Sequence, residues 1–336
     1  MRVLALLLAL LLLSGCGPQS QEMGNTAVAG VLGAEPSRRG MTLWAAAEGR
    51  AGSVPTFYQG EGRTPAGALE DLSASGQQVV TCAHVEHILL PQSAPELVEP
   101  VLSYAFQDPR QSTESQLWVV RKSDLNGVFS EKTDPVRRMS VLKDFSTAGQ
   151  GFRPLKLREA ASALAAGEPV LIPALDLTEE GLDFGGFALY QGGGFTAWLT
   201  GETALGAALL MDQPIHWTDS VGDRGVVLES IGCQVEPIWQ GDTLTGLALT
   251  CRLEGTTVGG WQEEPGDVAR LEASAARAIS QAFAILRRAD GDAAGLKGRA
   301  GLSSPLRWNT LSRVWEDAFP GLTPEISVTL TLAQRY

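Results

Sequence analysis

Histidine is almost absent from this chain: three residues, His84, His87 and His216, among 336. That removes most of the side chains that shuttle protons or ligate metals near neutral pH. No G-x-S-x-G elbow and no H-E-x-x-H pair occurs. Cysteine is scarce too, at four residues, and Cys82, Cys233 and Cys251 are too few for a closed framework of bridges. Cys233 and Cys251 bridge if their strands are neighbours; otherwise they are small buried hydrophobes. Positive charge is short: 26 Lys and Arg against 38 Asp and Glu give a formal net charge of -12. Such a chain has no electrostatic affinity for nucleic acid, nor for an anionic bilayer by its net charge. Beyond the N-terminus no apolar run reaches membrane length; FALY and LALT are strand-sized. Neither an internal repeat nor a low-complexity tract is present.

What is there begins at the N-terminus. Arg2 is followed by eleven apolar residues, Val3 to Leu13, and then by Ser14-Gly15-Cys16. This reads as a secretory signal, and eleven residues at a 1.5 Å rise cannot cross a hydrocarbon core of about 30 Å. Leu-Ser-Gly-Cys looks like a bacterial lipobox. The expectation is that residues 1–15 are removed and that Cys16 carries a diacylglycerol, whose two chains contribute about 0.8 kcal/mol per buried methylene. Residues 16–25 then form a lipidated tether, small and polar. Loss of Arg2 moves the formal charge from -12 to -13.

Removal of the signal leaves 321 residues, enough for a sizeable core. The whole chain is 44% hydrophobic and 19% charged, a globular composition. TAVAGVLGAE and MTLWAAAE flank PSRRG as strand, turn and strand. Thr64 and Pro65 open a helix. VVTCAHVEHILL and STESQLWVVRK read as strands, PELVEPVLSYAFQ as a helix and SDLNGVFSEK as a short helix capped by Ser123. Residues 143–153 read as a surface crossover, and LREAASALAAGEPVLIPALDL as helix, stop and strand. The Gly-rich stretch 181–186 places a domain boundary at 183/184. FALYQGGGFTAWLT is a hairpin, its glycines a turn rather than a phosphate cradle. Thr200 caps a helix, two strands follow over 226–254, and Pro265 starts a long helix to Arg288 with the stripe Val268, Leu271, Ala275, Ile279, Ala282 and Leu286. ADGDAAG is a turn. Trp308, Leu311, Trp315 and Ala318 fall on one face of a further helix, and PEISVTLTLAQ is a half-buried terminal strand. Cys82, His84 and His87 are possible metal ligands, but strand alternation sets His87 opposite the other two. No catalytic, cofactor or metal residue is assigned.

The segments in this order resemble the Ger(x)C family, the lipoprotein C subunits of bacterial spore germinant receptors. The resembling segments are the lipobox, TAVAGVLGAE, FYQGEGRTPAGALEDL, CAHVEHILL with His84, AFQDPRQSTESQLWVVRK, and FGGFALYQGGGFTAWLTGETALGAALL. The last is the C-terminal run carrying Asp292, Gly295, Trp308, Trp315 and Phe319. Gln107 stands where the family has arginine, and Gly17-Pro18 where it has Trp-Asp. The resemblance implies an α+β protein of two family-like domains, 26–183 and 184–336, with mostly antiparallel sheets packed with helices. It implies a non-enzymatic role in nutrient-triggered germination on the outer face of the spore inner membrane, with two integral-membrane subunits as partners. The named C-terminal residues would be structural. The alternative is a solute-binding lipoprotein of a transporter, which would show alternating β-α units, two lobes and a hinge.

Overall fold

A computed structural model describes residues 26–48, 54–74, 78–93, 112–121, 124–147, 152–192, 194–222, 224–257 and 264–333, together with Leu97, Pro100, Val101, Ser103 and Tyr104. The lipobox, the tether and most of the helix read over PELVEPVLSYAFQ lie outside these residues.

The first apolar runs form β1 (Thr26–Ser37) and β2 (Gly40–Ala47), an antiparallel hairpin closed at Ser37 and Gly40. β3 (Thr56–Gly62) adds antiparallel to β2. α1 (Pro65–Ala74) lies so close to β3 that a Cβ on Gly60 or Gly62 would strike its backbone. Thr64 caps it, Oγ1 accepting from Gly67 N at 3.2 Å.

VVTCAHVEHILL is not one strand. It forms β4 (Val79–Thr81) and β5 (His87–Pro91), both parallel to β1, with a break at 82–86. β6 (Gln116–Arg121) and β8 (Val170–Thr178) extend the parallel centre, and the short β7 (Leu155–Lys156) pairs with β6. β9 (Gly181–Gln191) and β10 (Gly194–Leu199) complete a sheet of order β10-β9-β8-β6-β5-β1-β2-β3. Its centre is covered on both faces, so its strands read as unbroken apolar runs. Ile88, Leu90, Leu117, Val119 and Ile172 pack with α1 and with α4 (Leu157–Ala165). Leu89, Trp118, Val120 and Leu175 point the other way, toward α2 (Leu125–Val128) and α3 (Pro135–Thr147). Asp124, rather than Ser123, caps α2, and α3 extends into the stretch read as a crossover.

Beyond Thr200 come α5 (Glu202–Leu210), β11 (His216–Val221), β12 (Arg224–Gln240), β13 (Thr243–Thr257), α6 (Asp267–Arg288), α7 (Leu296–Ser303), α8 (Trp308–Ala318) and β14 (Thr323–Ala333). The second sheet runs β11-β12-β13-β14, antiparallel except for β14, which lies parallel to β13. Cys233 and Cys251 are cross-strand partners and form a disulfide. The stripe on α6 is buried, with Ala278 and Phe283 added. This helix begins after Gly266 rather than at Pro265, and Asp267 is fixed there by Arg224 at 3.1 Å and by Glu264 N at 2.9 Å. α7 is a helix that the sequence pattern does not announce.

The boundary set at 183/184 falls inside β9, one strand in from the edge of the first sheet. Its glycines serve close packing. A Cβ on Gly185 would lie 2.8 Å from the Asp176 carboxyl carbon, and Gly186, at φ +114°, has room for none beside the Leu199 carbonyl. The sheets change over at Thr200, and a single apolar cluster joins Trp118, Leu175 and Phe187 to Leu228, Leu249 and Leu271.

Candidate functional site

Where the two sheets meet, a cleft of about 540 Å³ opens between the ends of β6, β8 and β9, α5 and the start of β11. Phe152, Phe184, Leu142 and Ile215 give it mainly apolar walls. Phe152 and Phe184 stack with ring centroids 3.6 Å apart, and Phe152 meets Trp118 edge-on at 5.6 Å.

Arg121 and Asp176 line this cleft as an ion pair, and His216 lines it with a hydrogen-bond partner behind it. Arg121 ends β6 and Asp176 sits opposite it in β8. Arg121 Nε donates to Asp176 Oδ1 at 2.6 Å, and Nη2 donates to Oδ2. The carboxylate holds the Arg121 guanidinium above its ordinary pKa, and its carbon stands 5.8 Å from the Trp198 ring centroid. His216 Nε2 lies 3.0 Å from Glu229 Oε1, its register partner in β12. Each pair is engaged with itself. The cleft can shelter a small apolar or aromatic molecule. Sequence reading named His216 without a role and missed Arg121, Asp176 and Glu229. The available signal was a charge ending an apolar strand, as in VVR and ALD.

The residues singled out from sequence lie elsewhere. Cys16 is outside the described residues. His84 is exposed in the turn between β4 and β5, whereas Cys82 and His87 are buried. Trp118 Nε1 donates to His87 Nδ1 at 3.3 Å, and burial pushes the imidazole down to about 4. Among the described residues no three His, Cys, Asp or Glu side chains are grouped to hold a metal.

The C-terminal motif is brought together in part. Asp292 caps α7, its two oxygens accepting from Leu296 N at 2.8 Å and Lys297 N at 2.7 Å. Burial pushes this carboxyl up to about 6, against the pull of the two N–H groups and Arg299. Gly295 takes the left-handed φ of +68° that turns the chain into α7. One turn on, Arg299 is half-buried, donating to the carbonyls of Cys233 (3.1 Å) and Leu210. Asp212 Oδ1 accepts from Cys233 N at 2.7 Å. The set thus ties α7 to the end of α5 and to β12. Trp315 and Phe319 are buried and stack at 5.6 Å, with Phe283 5.9 Å from Phe319. Trp308 departs from the expected buried face: it is 41% exposed and lies over Gly301.

No protein-family model and no curated protein matches the sequence. Among solved structures, the crystal structure of the GerBC protein matches with a TM-score of 0.58 at 14% identity. The match covers 90% of this chain and 96% of that one. A likeness of this extent at such low identity concerns the backbone: the body of eight described helices and two mostly antiparallel sheets has a GerBC-like, Ger(x)C-type fold.

Proposed function

We propose that the chain is a lipid-anchored, non-enzymatic C-type subunit of a spore germinant receptor. The observation that carries this reading is the likeness to the GerBC protein over nearly the full length of both chains. The lipobox supports it: Cys16 would take the lipid, and residues 17–25 would hold the body at the outer face of the spore inner membrane. Two integral-membrane subunits would be its partners in a receptor that answers small nutrients. A solute-binding lipoprotein is disfavoured by the apolar cluster shared between the two sheets, where such a protein needs a hinge.

The test replaces Cys16 by Ala in the full chain and follows membranes after an alkaline carbonate wash, which strips peripheral attachment. The expected result is release from the membrane or an uncut precursor. A washed membrane that retains Cys16→Ala with residues 1–15 removed overturns the anchor. Affinity purification of the full chain should bring down two polytopic subunits, and deletion should slow nutrient-triggered germination. Recovery of a transporter permease instead would favour the solute-binding reading.

A further inference from the structure

The corner between α7 and α8 holds apolar groups in water. Leu302 and Leu306 are 83% and 101% exposed, the two highest values among the large apolar side chains described, and Trp308 stands beside them at 41%. Single exposed leucines are ordinary; two of them with a tryptophan inside seven residues make a patch. The corner is also stiff. Ser304 N donates to Gly301 O at 3.2 Å, Arg307 N to Ser304 O at 3.0 Å, and Ser303 Oγ to Ala300 O at 2.9 Å. The Trp308 ring covers Gly301 so closely that a Cβ there would strike it. Arg307 Nη1 donates to Gly241 O at 3.2 Å, its guanidinium 5.0 Å from the Trp239 ring centroid. The leucines are therefore projected from a fixed scaffold.

Basic residues punctuate the stretch that carries them, between Asp292 on one side and Glu316 and Asp317 on the other. From Ala293 to Trp315 every charged residue is basic: Lys297, Arg299, Arg307 and Arg313, in a protein of net charge -12. Arg299 is half-buried and turned to the Cys233 and Leu210 carbonyls, and Lys297 is paired with Glu316 at 2.8 Å. Arg307 and Arg313 donate to the backbone carbonyls of Gly241 and Asn309 and have no carboxylate partner among the described residues.

We propose that this corner docks on an anionic lipid bilayer. Leu302 and Leu306 enter the acyl boundary, Trp308 sits at headgroup level, and Arg307 and Arg313 meet lipid phosphates. Protruding aliphatic knobs ringed by arginine suit a deformable, negatively charged surface better than the flat face of a protein partner. The proposal rests on the lipid-anchor reading for its setting, since Cys16 would keep the body beside the membrane.

The test uses the full lipidated chain carrying Leu306→Cys. Cys82 is buried and Cys233 is bonded to Cys251, so an environment-sensitive dye reaches position 306. The labelled chain is reconstituted in vesicles of phosphatidylcholine with or without phosphatidylglycerol, and quenching by nitroxide lipids is read. The expected result is a blue-shifted emission with quenching about threefold stronger when phosphatidylglycerol is present. Leu302→Asp and Arg313→Glu, both at exposed positions, should each reduce that excess. A chain that floats with the vesicles while its label stays in water overturns the corner and leaves the anchor standing. Protection of the label only when polytopic subunits are present makes the corner a protein interface and overturns the proposal. A chain that vesicles fail to retain overturns both readings.

Discussion

His87 is buried and Asp292 half-buried, and loss of solvent moves them in opposite directions because it penalises whichever form is charged. His87 is held neutral, pushed down to about 4 from 6.5, against a smaller upward pull from Glu86. Its folded pKa lies below the unfolded one, so its contribution to stability is intact above pH 6.5 and is lost as pH falls toward about 4. Asp292 is pushed up to about 6 from 3.8, so its contribution is intact below pH 3.8 and is lost as pH rises through about 6. Urea unfolding of wild type and His87→Gln should therefore diverge with acid. Between pH 6.5 and 5 the wild type should lose about 1.5 kcal/mol relative to the variant; parallel profiles would refute the buried neutral imidazole. Asp292→Asn should lose one of the two α7 cap bonds, yet gain on the wild type as pH rises from 4 to 6. Sequence alone named both His84 and His87 as possible metal ligands, and the family resemblance singled out His84. Alternation did set the two histidines on opposite faces, but the break at 82–86 depends on how β1 receives both halves, and that pairing is not local.

Elements with a strong apolar period were legible, and those without one were not. The stripe on α6 and the alternation of β12 to β14 were readable because each buries one face. α7 escaped because LKGRAGLS carries two glycines and only a short apolar face; its start depends on the Asp292 cap and on Gly295. Trp308 was misplaced because helical spacing cannot tell that the stripe ends at the corner, where the ring lies over Gly301 and stays 41% exposed. Trp315, by contrast, is 1% exposed, and Trp315→Ala should cost about 3–5 kcal/mol in chemical denaturation. Wild-type stability for that variant would make it a surface contact. Two glycines give a paired test of helix packing. A Cβ on Gly206 of α5 would run into the Ala278 carbonyl of α6, whereas Gly298 of α7 has nothing within 4 Å. Gly206→Ala should lower stability by more than about 1 kcal/mol, since rigid backbone must move apart. Gly298→Ala should raise it by about 0.5–1 kcal/mol through helix propensity alone. Equal effects from the two would mean that α5 and α6 do not cross at Gly206.

At the scale of the molecule, the order of segments pointed to the fold, while the glycines of 181–186 pointed to a linker that is not there. Their meaning lay in contacts with Asp176 and Leu199, which sequence spacing does not reveal. The consequence is energetic. The face of the first sheet carrying Trp118, Leu175 and Phe187 is closed by α5, whose Ala204 and residues 206–210 are buried, and α5 in turn packs on α6. Neither sheet can bury this face alone, so each half depends on the other for its core. Arg299, half-buried between α7, the end of α5 and β12, adds a polar tie inside the second unit that needs the end of α5 in place. The described body, 26–333, should therefore unfold in one transition, with far-ultraviolet circular dichroism and tryptophan fluorescence superimposing across a urea titration. Fragments 26–200 and 201–333, produced separately, should each bind a hydrophobic dye and lack a cooperative transition, because cutting at the change of sheets exposes the shared apolar cluster. Two resolved transitions in the intact chain, or a 201–333 fragment that unfolds cooperatively on its own, would show that the two units are independent domains and that the cluster between them is an interface rather than a core.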